Sequence, residues 1–313
     1  MRIFHSQAQV PADFGPSVVT IGNFDGVHTG HRAIMRAVVE AARLRGLVPT
    51  VLTFDPHPAR ILAPDRAPGL LMTTDQRLRA LESLGIGAVL MIPFSREFAA
   101  LTPEDFIDGV LIATLRAKSV MVGEDFRFGH RQSGSAETLR VLGAARGFTF
   151  EPVPHVTWRG ERVSSSAVRT AIAQGSVSRA CRMLGAPFAL EGEIVKGQGI
   201  GSKQTVPTLN LAPNNDVIPP DGVYITRTRD FDSVRRWPSV TNIGKRPTFG
   251  GGSVTVETFL LSPLDDPTPA RIELEFLRFI RQERKFESPV ALRDQIMKDV
   301  AVATRLHRRL KTG

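Results

Sequence analysis

The apolar run at 18–21 is followed at once by Gly22-Asn23-Phe24-Asp25-Gly26-Val27-His28-Thr29-Gly30-His31, and a helical period begins where that stretch ends. A strand that turns through glycines into a helix aims free backbone N–H groups and the positive end of the helix dipole at one small volume. Such a volume suits a phosphate. His28 and His31, three apart at the turn, add side-chain donors, and Gly30 lets a nucleotide come close to the backbone. Two histidines at a helix start are more often caps or surface residues. Here the glycines and the preceding strand favour phosphate chemistry.

From 18 to about 185, short β-rich runs alternate with helical periods, which predicts an α/β fold with a doubly wound parallel sheet. Strands are expected at 18–21, 48–54, 88–92, 119–122 and 149–153, and helices at 31–45, 74–84, 103–115 and 136–146. Ligands of such sheets bind beyond the carboxyl ends of the strands, where the histidines fall. Gly185-Ala186-Pro187 breaks the helical pattern, so a domain boundary is expected there, dividing the chain into 1–186 and 187–313. Beyond it, β-runs at 190–195, 209–211, 223–227, 239–243, 254–261 and 271–276 are separated by Gly and Pro, which predicts a small antiparallel β-barrel. A closing amphipathic helix is expected from 288 to about 310, with Ser288 as N-cap and Pro289 in its first turn.

A chain of 313 residues supports two cores of proper size. The formal charge of +9 is spread along the chain, which draws in nucleotides but marks no nucleic-acid tail. Arg305, His307, Arg308, Arg309 and Lys311 end a helix and complement its dipole. One cysteine, Cys181, excludes an internal disulfide and a thiolate zinc site, and reads as a buried helix residue. With no apolar leader and no run long enough to span a bilayer, the expectation is a cytoplasmic protein without membrane or nucleic-acid partners. Any homo-oligomer is expected to be weak or transient.

Ser164, Ser165 and Ser166 open a short helix with Arg169 one turn in, a set that can hold the phosphates leaving as pyrophosphate. Thr53-Phe54-Asp55-Pro56-His57-Pro58 and Val122-Gly123-Glu124-Asp125-Phe126-Arg127-Phe128-Gly129 follow strands at the same sheet edge, where their faces can hold a flat ring or simply pack as loops. The His-x-Gly-His stretch resembles the signature of nucleotidyltransferases. Taken together, from about 18 to 299, the motifs resemble the bacterial bifunctional riboflavin kinase/FAD synthetase family. That resemblance implies adenylylation of FMN with ATP as co-substrate in the first domain, releasing FAD and pyrophosphate. It implies catalytic roles for His28, His31 and Arg169, and nucleotide contacts from Gly22, Asn23, Phe24, Asp25, Gly30, Ser164, Ser165 and Ser166. Pro56, His57, Pro58, Asp125 and Phe126 match stretches on the flavin side.

The barrel resembles riboflavin kinase, which phosphorylates the ribityl 5′-hydroxyl of riboflavin. The segment 197–210 has glycines, Gly197, Gly199 and Gly201, whose N–H groups can meet ATP phosphates, and Thr208 and Asn210, whose oxygens are hard ligands suited to Mg²⁺. The resemblance assigns Glu257 as the base that accepts the hydroxyl proton, and puts Arg281 and Arg293 on the flavin side. The chain departs from the family pattern at Ile200 and Ser202, where arginines are usual, and at Thr205, where a glycine is usual. Lys203 is then the loop's source of positive charge. Phe259 replaces a usual histidine, and Asp266-Pro267-Thr268-Pro269 lacks a usual Tyr-Gly. Three rival readings follow: an FAD synthetase whose barrel binds flavin without phosphorylating it, a nucleotidyltransferase with another acceptor, and a nucleic-acid-binding protein.

Overall fold

A computed structural model describes residues 1–195, 208–246, 253–264 and 267–311. Gly197, Gly199, Gly201 and Lys203 of the expected phosphate loop lie outside them, as do Ile200, Ser202, Thr205 and Asp266. The chain divides into two compact units, Met1–Ser165 and Ser166–Gly313.

The first unit is built on six parallel strands: β1 (Arg2–Phe4), β2 (Ser17–Ile21), β3 (Val48–Phe54), β4 (Ala88–Ile92), β5 (Ala117–Gly123) and β6 (Thr149–Val153). Their order is β1-β4-β3-β2-β5-β6, so the direction of winding reverses beside β2. That strand carries the histidine turn at its carboxyl end, the place where open sheets of this kind bind ligands. Side chains alternate across the sheet, which buries both faces. Val19, Ile21, Leu52, Leu90 and Val120 pack on one side with Phe106, Ile107, Leu111 and Leu139. Val18, Val51, Val89 and Met121 pack on the other with Met35, Val38 and Leu81.

Connecting helices are α1 (Thr29–Arg45), α2 (Pro58–Leu62), α3 (Thr74–Ser83), α4 (Arg96–Ala99), α5 (Pro103–Phe106) and α6 (Ala136–Arg146). Two expectations need correction. The edge strand β1 was not expected, because three residues beginning with an exposed arginine are too short to show a period. The helix expected at 103–115 is α-helical only to Phe106 and continues as a π-helix over Ile107–Thr114. The Leu115 N–H there donates to the Val110 carbonyl five residues back at 3.0 Å, a wider winding than apolar spacing can distinguish.

The second unit opens with α7 (Ser165–Ala173) and α8 (Val177–Leu184), where half-buried Cys181 donates its Sγ hydrogen to the Phe276 carbonyl at 3.2 Å. Six strands then close a barrel: β7 (Phe188–Val195), β8 (Thr208–Pro213), β9 (Gly222–Asp230), β10 (Arg236–Arg246), β11 (Ser253–Leu260) and β12 (Arg271–Arg281). Their order is β7-β8-β11-β10-β9-β12, and every neighbouring pair is antiparallel. Each expected barrel strand is present, and most run longer than the apolar pattern indicated.

Inside the barrel five fully buried hydroxyls meet one another. Thr228 donates to Ser239 at 2.9 Å, Ser239 and Thr226 lie at 2.8 Å, Thr226 and Thr241 at 2.7 Å, Thr241 donates to Thr258 at 3.0 Å, and Thr258 and Thr228 lie at 3.5 Å. Each therefore satisfies its polar group without water. On the outer face, Val223, Ile225 and Val240 pack against Ala303 of α9 (Pro289–Lys311).

The Ser288 hydroxyl accepts the Ala291 N–H at 3.2 Å, as expected of an N-cap. Arg281 of β12 donates to buried Asp299 of α9 at 2.8 and 3.0 Å, and His307 Nε2 lies 2.9 Å from the Thr226 carbonyl. Among the described residues, no helix is long and apolar enough to cross a membrane.

Asp299→Ala leaves a largely buried guanidinium without its partner, so thermal denaturation should show the barrel unit weakened by on the order of 3 kcal/mol.

Candidate functional site

Between β2 and α1 the chain makes a turn with Phe24, Gly26 and Val27 in the left-handed region, at φ 50°, 82° and 39°. Two of these residues carry side chains, so the conformation needs support from outside the turn. Leu71 N–H donates to Asp25 Oδ1 at 2.9 Å, and the Ser165 hydroxyl donates to the Asp25 carbonyl at 2.8 Å. The Asn23 carbonyl accepts from the Thr53 hydroxyl at 3.4 Å and from buried Arg77 at 2.9 Å. Arg77 was not among the expected site residues, while Thr53 opens a stretch expected to hold a flat ring or pack as a loop.

Phe24 is 2% exposed and packs under the turn, so its contribution is as a floor. A Cβ on Gly22 would stand 3.0 Å from its ring. The Phe24 ring meets His31 edge-on, with centroids 5.2 Å apart, and His31 stacks on His28 with centroids 3.6 Å apart and planes 19° apart. His28 caps α1, its Nδ1 accepting the His31 N–H at 3.3 Å. That bond places the neutral imidazole's proton on Nε2, where it can be donated. Gly30 serves this arrangement directly: a Cβ there would come within 3.1 Å of the His28 ring.

Both imidazoles are held neutral. Burial, helped by the charge of Arg162, lowers His28 to about 4, while burial and the neighbouring His28 lower His31 well below its usual value. His31 Nδ1 is buried and has no hydrogen-bond partner. Arg162 also pairs with Asp125 at 2.7 Å. Burial is the largest single influence and would raise the Asp125 carboxyl, but its bond to Arg162, the charges of Arg162 and His155 and a backbone hydrogen bond together hold it below its usual range.

A cavity of about 740 Å³ opens beside the turn and shares Gly22 and Asn23 with it. Of the expected flavin-side residues, Pro58, Asp125 and Phe126 line it. Phe54, Phe94, Phe98, Phe106 and Phe128 supply most of the apolar wall. Their rings run in sequence at centroid distances of 5.4 Å for Phe54–Phe94, 5.9 Å for Phe94–Phe98 and 6.1 Å for Phe98–Phe106. The run ends with 5.4 Å for Phe106–Phe128 and 5.7 Å for Phe126–Phe128. Such a slot suits a flat aromatic ligand. Pro56 and His57 are not on this wall; His57 Nδ1 accepts the Ala59 N–H at 3.1 Å and caps α2. Ser164 precedes α7, while Ser166 and Arg169 lie on its first turns, in the unit that contains the barrel.

In the barrel, register assembles a second set. Asn210 on β8 stands directly opposite Glu257 on β11, which stands opposite Asn242 on β10. Thr208 is two residues from Asn210 and shares its half-exposed face, while Leu209 and Leu211 point into the core. The Asn242 amide donates to Glu283 at 3.3 Å. Of the two arginines expected near flavin, Arg281 is engaged with Asp299 and Arg293 is exposed on α9. Among the described residues no group of three His, Cys, Asp or Glu side chains could hold a metal.

Comparison with known proteins matches a different family to each half of the chain. The FAD synthetase family model matches residues 10–167 and the riboflavin kinase family model matches 184–307. The bifunctional riboflavin kinase/FMN adenylyltransferase of Escherichia coli K12 is 37% identical over 97% of this chain and 96% of its own length. The Bacillus subtilis protein of the same description is 32% identical over 99% of both chains. A crystal structure described as a macrolide-efflux protein from Streptococcus pneumoniae superposes with a TM-score of 0.86 at 28% identity, covering 96% of this chain and 98% of that one.

The buried histidines set a pH dependence. His28 falls from its unfolded value of 6.5 to about 4 in the folded chain, so the unfolded state takes up the proton first. The stability it contributes is whole above pH 6.5 and is lost as pH falls toward 4, up to on the order of 3 kcal/mol. Melting curves recorded between pH 7 and 4.5 should therefore slope less steeply for His28→Gln than for the unsubstituted protein.

Proposed function

Because this chain belongs to the family of bifunctional riboflavin kinases/FMN adenylyltransferases and catalyses both reactions, we propose that each reaction has its own centre. Riboflavin is phosphorylated by ATP beside Asn210, Glu257 and Asn242, giving FMN and ADP. FMN is adenylylated at the histidine turn, giving FAD and pyrophosphate. The observation that carries the second assignment is that Gly22 and Asn23 belong both to the turn and to the wall of the phenylalanine cavity. A flavin ring in that cavity has its phosphate tail within the reach of a nucleotide held at the turn.

In the adenylyl transfer an oxygen of the FMN phosphate attacks the α-phosphorus of ATP as the bond to pyrophosphate breaks. Little covalent help is needed beyond holding the groups in line and stabilising the charge that grows on the α-phosphoryl oxygens. His28 offers its Nε2–H for this, and His31, stacked on it, is the second donor. Ser164, Ser165, Ser166 and Arg169 take the departing phosphates.

In the kinase Glu257 accepts the proton of the ribityl 5′-hydroxyl as that oxygen attacks the γ-phosphorus. Thr208 and Asn210 fit Mg²⁺, since two neutral oxygens on one face leave most of an octahedron for phosphates and water. When bound, that ion neutralises charge on the transferred phosphoryl group. Lys203 and the glycines Gly197, Gly199 and Gly201, outside the described residues, carry the positive charge and the N–H groups suited to ATP phosphates. The match of 184–307 to riboflavin kinase favours a working barrel over one that only binds flavin.

We place the boundary between the two activities at 186/187, the protein in the cytoplasm, and its partners among riboflavin, FMN and ATP, with self-association weak and no nucleic acid bound.

His31→Ala should lower FAD formation from supplied FMN more than tenfold while leaving riboflavin phosphorylation intact, as read by chromatography of the flavins. Glu257→Gln should do the reverse, cutting FMN formation by about a hundredfold or more while FAD still forms from supplied FMN.

A further inference from the structure

Arg77 is charged, 7% exposed and absent from the chemistry described above. It stands in the first turns of α3, whose capping box at Thr73 and Gln76 fixes where its side chain starts. The guanidinium reaches two backbone carbonyls from different loops. One nitrogen donates to Asn23 of the histidine turn at 2.9 Å, and the other donates to Phe54 at 3.3 Å, the end of β3 and part of the cavity wall. The second nitrogen also lies 3.7 Å from Met91 Sδ. Burial weakens the hold on its proton, while Asp55 and Asp25 nearby favour the charged form.

A buried cation that spends its donors on carbonyls of two separate loops fixes the distance between them. The turn it braces includes residues with positive φ that need outside support. We infer that Arg77 is a positioning residue for adenylyl transfer: it sets the separation between the nucleotide-holding turn and the flavin-holding wall. It touches neither substrate. Its effect falls on alignment of the reacting atoms, where a small displacement costs far more in rate than in binding. Lysine, a point donor, can satisfy one of the two carbonyls but not both.

The inference rests on the turn and the cavity being the two substrate subsites, and the test separates the two claims. FMN binding is titrated by flavin fluorescence, and FAD formation from FMN, ATP and Mg²⁺ is followed, for the full-length protein, Arg77→Met, Arg77→Lys and Phe126→Ala. If the cavity holds flavin, Phe126→Ala weakens FMN binding; unchanged binding there overturns the subsite reading and this inference with it. With the subsites in place, Arg77→Met should still bind as many FMN per chain as the unsubstituted protein, with Kd values within threefold, while kcat for FAD formation falls at least tenfold and Arg77→Lys recovers part of it. A kcat within twofold of the parent in Arg77→Met overturns the positioning role alone. So does a loss of kcat that follows loss of FMN stoichiometry equally in the Met and Lys variants, since the arginine would then only support the fold.

Discussion

The adenylyl-transfer half of this protein depends on holding a turn that would not hold itself. Phe24 and Val27 sit in backbone conformations that side-chain-bearing residues rarely adopt, and they do so because the carbonyls and carboxylate of Asn23 and Asp25 are bonded by groups from four other segments. Once the turn is set, the imidazole positions follow. Phe24 is the floor for His31, His31 is the stacking partner of His28, and the absence of a Cβ on Gly30 makes room for the His28 ring. Their depressed basicity is a consequence of the same enclosure. The turn therefore offers neutral donors whose orientation is decided by the fold, which is what electrostatic preorganisation of the proposed adenylyl-transfer centre requires.

The barrel reaches a comparable result by a different route. Here antiparallel pairing lines up Asn210, Glu257 and Asn242 across three strands. The inward residues between them are apolar or hydroxyl-bearing, so the polar row lies on the half-exposed side where a substrate can reach it. In one unit a loop is braced to present its groups; in the other a ladder presents them.

Much of this was legible in the chain before any coordinates. Five of the six parallel strands, the helix after the histidine turn and all six barrel strands follow from apolar spacing and turn residues, because each buries at least one face and must show it. What was not legible came from long range. Phe54, Phe126 and Phe128 lie in stretches expected to hold a flat ring, but Phe94, Phe98 and Phe106 come from two further stretches, and nothing local says that they face the same cavity. Arg77 sits in a segment rich in charged residues that reads as an ordinary solvated helix, and only the fold shows it buried. Arg281 of β12 is engaged with Asp299 of α9, a contact that no spacing announces.

The five hydroxyls within the barrel close on themselves, each able to give one proton and take one in the same rotational sense around the loop of contacts. A slip of one residue between these strands would turn their faces inside out and is forbidden by burial. A slip of two would keep the faces correct, and burial alone would tolerate it, yet it would carry Glu257 about 7 Å from Asn242. The closed circuit distinguishes these cases, since it survives only when Thr226, Thr228, Ser239, Thr241 and Thr258 keep their present offsets. It works as a vernier on the barrel: the hydroxyls read the alignment of β9, β10 and β11 to a single step, and the facing pair Glu257 and Asn242 on the outside inherits that accuracy.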